Sequence, residues 1–246
     1  MTDVIQSSKP DSPTDLADLR SQLNSDIEKN QLHVVQSLAQ LGEGGWQELM
    51  QFLQNNLQKS FQDNSASLVL GRVYQALSQV DAPHVTEFLQ NYCPDGVVQL
   101  QSEAQVDYSK LQNLLTQSDF RAADKLTLEK LCELAGGSAL DRGWIYFSEV
   151  KQFPTGDLQT IDRLWRVYSE GRFGYSVQRR LWLSVGKNWE KLWPKINWRK
   201  DGAWTRYPQE FTWDLTAPQG HLPLSNQLRG VRVMEALLNH PAWSES

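Results

Sequence analysis

The sequence predicts an all-α protein: an N-terminal helical bundle followed by a compact helical core with long aromatic-rich loops. Three observations carry that prediction. Apolar residues recur at helical spacing in segment after segment of the 246 residues. Gly and Pro close these segments at short intervals, which favours antiparallel helical neighbours. Charge and tryptophan then split the chain in two. Residues 1–140 hold nine Lys+Arg against eighteen Asp+Glu, and residues 141–246 hold fifteen against eleven. The net charge of −5 therefore hides an acidic unit of −9 and a basic one of +4. Only Trp46 lies in the first part, and the other nine tryptophans run from Trp144 to Trp243.

Residues 1–13 are rich in Ser, Asp and Pro and predict a disordered lead-in. They have no basic region followed by an apolar run, so they do not read as a secretory signal. No stretch approaches the roughly 20 apolar residues of a membrane span. The expectation is a cytoplasmic protein. Cys93 and Cys132 lie in unrelated contexts without metal-ligand spacing, and read as buried thiols.

The first unit, 14–93, predicts five helices. Leu16, Leu19, Leu23 and Ile27 mark one over 15–30. A second covers 32–41 and stops at Gly42-Glu43-Gly44-Gly45. A third spans 46–57 through Leu49, Phe52, Leu53 and Leu57, and two more follow at 68–80 and 84–92. No repeat is sharp enough to fix a period, so a bundle and a short helix-hairpin array both remain open. At 94–108 the pattern loosens, with a turn at Pro94-Asp95-Gly96, and this stretch reads as the linker.

The second unit, 109–246, resumes with helices at 109–115 and 119–135. The latter has Ser118 or Asp119 as N-cap and Gly136-Gly137 beyond its end. Further helices open at Asp157, run over 176–185, and run over 187–193 before Pro194. A last one covers 225–239.

Between them, 198–224 is long, shows little periodicity and carries Trp198, Trp204, Tyr207, Phe211, Trp213 and His221. Disordered segments are poor in aromatics, so this one is expected to be ordered. Such a set of rings suits the lining of something flat and apolar, although each ring alone is better explained as core.

The last predicted helix adds polar groups. Asn226, Arg229 and Arg232 stand three residues apart and share one face, where two guanidinium forks can grip two carboxylates. Gly230 between them would allow a ligand or a neighbouring backbone to approach closely. Arg179-Arg180, beside Tyr175 and Trp182, suggests single-stranded nucleic acid as an alternative. The modest +4 of this unit and the lack of a nucleic-acid-binding motif count against it, and surface and core roles suit Arg179 and Trp182 better. Phosphate loops, dinucleotide fingerprints, zinc-protease motifs and nucleophile elbows are all missing. His221, in Pro218-Gln219-Gly220-His221-Leu222-Pro223, is the one histidine in a rich context, and a hydrogen-bonded structural role suits it better than proton shuttle or axial ligand.

Several words of the second unit carry a resemblance. They are 130–136 (KLCELAG), 174–182 (GYSVQRRLW), 211–215 (FTWDL), 217–223 (APQGHLP) and 226–232 (NQLRGVR). Together they resemble the genomes-uncoupled family of porphyrin-binding proteins over about 109–246, and the preceding helices resemble the N-terminal bundle of its cyanobacterial members. The resemblance implies a helical core cupped around protoporphyrin IX and its magnesium form. It also implies stimulation of magnesium chelatase in chlorophyll biosynthesis, through that enzyme's large porphyrin-binding subunit.

The implied role is regulatory and not enzymatic, in a monomer without a required cofactor or metal site, associated with membranes only through partners. Carried over by motif, Arg229, Arg232 and Asn226 would face the ligand, with Phe147, Tyr175 and Tyr207 as cleft aromatics. Phe211, Trp204 and Trp213 complete the candidate set. Tyr175 stands where some members have Phe, and Tyr207 where some have Trp. The alternative is a binding module for another flat anionic ligand or for single-stranded nucleic acid.

Overall fold

The computed structural model describes residues 13–62, 67–224 and 231–244. Five helices come first: α1 (Pro13–Leu23), α2 (Glu28–Gln40), α3 (Glu43–Gln62), α4 (Leu68–Ser78) and α5 (Pro83–Tyr92). Pro13 thus opens a helix, while residues 1–12 of the expected lead-in lie outside the described residues. The glycine run between α2 and α3 has two jobs. Gly42, at φ +71°, ends α2, but Gly44 and Gly45 belong to α3 and are not a stop. A Cβ on Gly45 would fall 1.9 Å from the Leu38 carbonyl oxygen, so glycine is what lets α3 begin in contact with α2.

After the irregular stretch 93–108 come α6 (Ser109–Thr116), α7 (Phe120–Ala135), α8 (Gly137–Arg142) and α9 (Phe147–Val150). These are followed by α10 (Thr155–Val167), α11 (Tyr175–Ser184) and α12 (Trp189–Lys195). Asp119 caps α7 by accepting the Ala122 amide at 3.0 Å. Strands β1 (Arg199–Lys200) and β2 (Ala203–Trp204) form a small antiparallel ribbon with Arg199 opposite Trp204. The chain closes with α13 (Arg232–Leu238) and a 3-10 turn, Pro241–Trp243. Pro194 sits inside α12 rather than ending it. The expected first turns of the last helix, 225–230, lie outside the described residues.

The fold is all-α, with that ribbon as the one sheet among the described residues. Buried apolar side chains run continuously from Leu23 in α1 to Trp243. The two parts meet where α4 lies on α10. A Cβ on Gly71 would stand 2.4 Å from Val167 Cγ1 and 2.7 Å from the Val167 carbonyl oxygen, so the helices approach as closely as backbone allows. Beside it the buried Gln75 amide donates to the carbonyls of Leu115 and Tyr168, each at 3.2 Å. Asp157 at the head of α10 gathers the 93–108 stretch. Its carboxylate accepts from Ser102 Oγ, the Glu103 and Ala104 amides, and the Tyr108 hydroxyl at 2.5–3.2 Å.

Cys93 and Cys132 are both buried free thiols. No helix among the described residues is long and apolar enough to cross a membrane.

Candidate functional site

Helix α13 is only seven residues long, so its position depends on its neighbours. Val233, Met234, Leu237 and Leu238 bury one face. Its last carbonyls are satisfied from outside: Trp243 Nε1 donates to Leu237 O at 2.6 Å, and Arg179 Nε donates to Leu238 O at 3.1 Å. Arg179 is therefore a helix-capping residue, and Trp182 is core. The opposite face of α13 carries Arg232, Glu235 and Asn239 toward α9.

Helix α9 is fixed by a local knot. The Glu149 side chain accepts the Tyr146 amide at 2.7 Å and pairs with Arg142 at 2.5 Å. The Arg142 guanidinium lies over the rings of Trp144 and Tyr146, 4.8 and 4.5 Å from their centroids. This knot presents Phe147 at the first position of α9 with 40% of its surface exposed.

The Arg232 guanidinium sits over the Phe147 ring, 5.5 Å from its centroid. The two residues flank a cavity of about 520 Å³, completed by Lys151, Glu235, Ala236, Asn239, His240 and Pro241. That volume lies within the roughly 300–1,000 Å³ usual for small-molecule sites. Two cations against one carboxylate favour an anionic occupant. Burial holds the His240 imidazole below its ordinary pKa, and its Nδ1 accepts the Ala242 amide, so it adds a neutral wall.

The aromatic loop forms a second group. Tyr207, 39% exposed, meets Phe211 and Trp213 edge-on at 5.6 and 5.8 Å, and Phe211 stacks on Trp213 at 5.7 Å. Internal polar bonds order this stretch. Trp213 Nε1 donates to Pro208 O at 3.0 Å, and the buried Gln178 amide donates to the carbonyls of Gly220 and Pro223 at 3.0 and 2.8 Å.

His221 is wholly buried and fully engaged. Its Nδ1 contacts Ile196 O at 2.7 Å and must donate there, while Nε2 accepts the Thr212 amide at 3.2 Å. Both ring nitrogens are occupied in a neutral imidazole, which leaves no lone pair for a metal. No cluster of three or more metal-ligating side chains occurs among the described residues.

The predicted site residues therefore separate. Arg232 and Phe147 meet at one cavity, and Tyr207, Phe211 and Trp213 meet in the loop, with Phe211 only 5% exposed and packed on His221. Tyr175 does not line a surface. It is wholly buried at the start of α11, because the Ser176 amide and hydroxyl bind Asp162 and pull that end of the helix inward. Trp204 is 47% exposed but belongs elsewhere, on the ribbon. It packs against Trp193, in a stack running through Trp182, Trp189, Trp193 and Trp198 at 4.8–5.7 Å. Asn226, Arg229 and Gly230 lie outside the described residues.

Sequence reasoning missed Lys151, Glu235 and His240, which carry no spacing signal.

Fold and surface together define a class: an all-helical protein in which a helical array packs on a helical core, and that core carries a cavity flanked by a guanidinium and an exposed aromatic ring. The chain belongs to the GUN4-like family, whose model matches residues 101–241, while an ARM-like repeat domain described as GUN4-N terminal matches residues 7–94. It is 50% identical over 230 residues to the Ycf53-like protein of Synechocystis, covering 94% of this chain and 97% of that one. It is 42% identical over 146 residues to the chloroplastic tetrapyrrole-binding protein of Arabidopsis thaliana, covering 56% of this chain and 55% of that one. The solved structure of GUN4 from Chlamydomonas reinhardtii superposes with a TM-score of 0.56 at 42% identity, covering 59% of this chain and 95% of that one.

Proposed function

We propose that this protein binds tetrapyrroles, specifically protoporphyrin IX and its magnesium derivative, and stimulates magnesium chelatase as a regulatory carrier that performs no chemistry itself. One observation carries the reading: the Arg232 guanidinium lies across the Phe147 ring at the mouth of an open cavity. A tetrapyrrole is a wide apolar disc with carboxylates at one edge. An exposed aromatic face suits the disc, and a guanidinium, with Lys151 nearby, suits the carboxylates. Membership of the GUN4-like family and the tetrapyrrole-binding name of the Arabidopsis relative support the same ligand class.

The partner proposed for the loaded protein is the large porphyrin-binding subunit of magnesium chelatase. With His221 occupied on both nitrogens, this chain's part is to hold the ring and its carboxylates, leaving metal insertion to the enzyme.

Titration with protoporphyrin IX, followed by tryptophan emission and by the porphyrin absorption band, tests the reading. Wild-type protein should saturate at one equivalent. Arg232→Ala should weaken binding roughly tenfold, the scale of a lost hydrogen bond to a charged group. An Arg232→Ala protein that binds as the wild type does would remove the proposed carboxylate contact. In a reconstituted magnesium chelatase assay, wild-type protein should raise the rate of magnesium insertion; no increase would refute the chelatase role.

A further inference from the structure

The cavity between α9 and α13 is built from two facing stripes. Phe147 and Lys151 come from α9 and its C-terminal end. Arg232, Glu235, Ala236 and Asn239 stand at positions i, i+3, i+4 and i+7 of α13 and its end, so they share one side of that helix. Val233, Met234, Leu237 and Leu238 bury the other side, which holds the stripe toward the cavity.

Glu235 is out of place in a site that suits an anion. Its carboxylate is exposed on the cavity wall, and among the described residues its side chain makes no ion pair and no hydrogen bond. Lys151 and Arg232 are likewise paired with no carboxylate among the described residues, so neither cation is spent on neutralising it. Toward a ring that carries only negative groups, this carboxylate is a repulsive element.

A divalent metal at the centre of the ring reverses that sign. Magnesium is a hard ion that takes oxygen ligands and gives up water reluctantly. The ring nitrogens fill its equatorial positions and leave the axial ones to oxygen. A carboxylate beside the ring face opposes the positive centre and accepts from a metal-bound water in a charge-assisted hydrogen bond. The metal-free ring offers inner N–H groups and no such centre. Oxygen is also what the exposed wall presents, through Glu235 and Asn239. The His240 imidazole is buried, with Nδ1 accepting the Ala242 amide.

We propose that Glu235 is a specificity-determining residue of this cavity: its unpaired carboxylate favours the magnesium porphyrin over the metal-free ring. The inference rests on the reading of the cavity as a tetrapyrrole site. Arg232 and Lys151 act on the edge carboxylates that both rings share, and so give affinity without choice. Glu235 gives the choice, separating the product of metal insertion from its substrate.

The test titrates protoporphyrin IX and its magnesium derivative separately into wild type, Glu235→Gln, Glu235→Ala and Arg232→Ala, read by the porphyrin absorption band. Glutamine keeps the size of the side chain and removes its charge, and the position is exposed, so folding should be little affected. Wild type should bind the magnesium form severalfold more tightly. Both Glu235 variants should bind it roughly tenfold more weakly, the scale of a lost hydrogen bond to a charged group. They should bind the metal-free ring as wild type does or up to about twofold more tightly, because a like charge has gone. Arg232→Ala should weaken both ligands alike and keep the preference.

A general loss of structure would weaken both ligands in parallel, so a parallel loss in the Glu235 variants would overturn the assignment. So would a wild type without preference. Wild-type protein that binds both rings, with a preference unchanged in Glu235→Gln, would leave the ligand reading standing and remove this inference alone. Wild-type protein that binds neither ring would refute the ligand reading and the inference with it.

Discussion

At the scale of single residues, the buried polar side chains do most to order the irregular segments. His221 joins Ile196 to Thr212 through both ring nitrogens, and burial lowers its pKa. A histidine depressed in the fold adds stability above its unfolded pKa, about 6.5, and that stability is lost as pH falls. Thermal unfolding should therefore show a midpoint that drops between pH 7 and 5. His221→Leu should be destabilised by about 2 kcal/mol at pH 7 and show a shallower drop; an equally steep drop would mean that other groups set it. The Asp124 carboxyl works the other way. Its pKa is raised, so its contribution is complete below about 4 and lost as pH rises through about 7. Asp157 accepts four hydrogen bonds, and Asp157→Ala should cost about 3 kcal/mol by leaving those donors unpaired. A midpoint shift of a degree or less would refute that role.

Among the elements, the α4–α10 contact joins the N-terminal array to the core, and its closeness depends on one missing side chain. Gly71→Ala would place a methyl against Val167, including its backbone oxygen, which cannot rotate away. The expected loss is about 1–3 kcal/mol in thermal or denaturant unfolding, although alanine is the better helix former. A neutral or stabilising outcome would show that α4 is free to shift.

Elements with strong periodicity, such as those over 68–80, 109–115 and 119–135, were legible in the sequence almost to the residue. The short ones were not. Helices α8 and α9 are too brief for a period to register, and α9 is held by the Arg142–Glu149 knot rather than by propensity. The ribbon did carry a turn signal, Asp201-Gly202, with both residues at positive φ. Gly44-Gly45 misled because a glycine that permits helix contact has the same letter as one that ends a helix.

For the whole molecule, the question is whether the array and the core act as one body. Gln75 ties α4 to both α6 and the end of α10, and the apolar core passes through without a break. Unfolding followed by circular dichroism, which reports all helices, should coincide with unfolding followed by tryptophan emission, since nine of ten tryptophans lie beyond residue 140. A far-ultraviolet transition that precedes the emission change would show the array melting alone.

The ligand class was legible in aggregate: many rings on an irregular stretch next to paired arginines. Which rings share a surface was not, because burial is set by the tertiary packing that draws Tyr175 inward and places Trp204 on the ribbon. The central claim is that the Phe147–Arg232 cavity receives a tetrapyrrole. Its most direct measurement is a protoporphyrin IX titration of wild type, Phe147→Ala and Arg232→Ala by tryptophan quenching. The account predicts stoichiometric quenching in the wild type and affinities at least several-fold weaker in both variants. Quenching that is absent from the wild type, or identical in all three proteins, would contradict it.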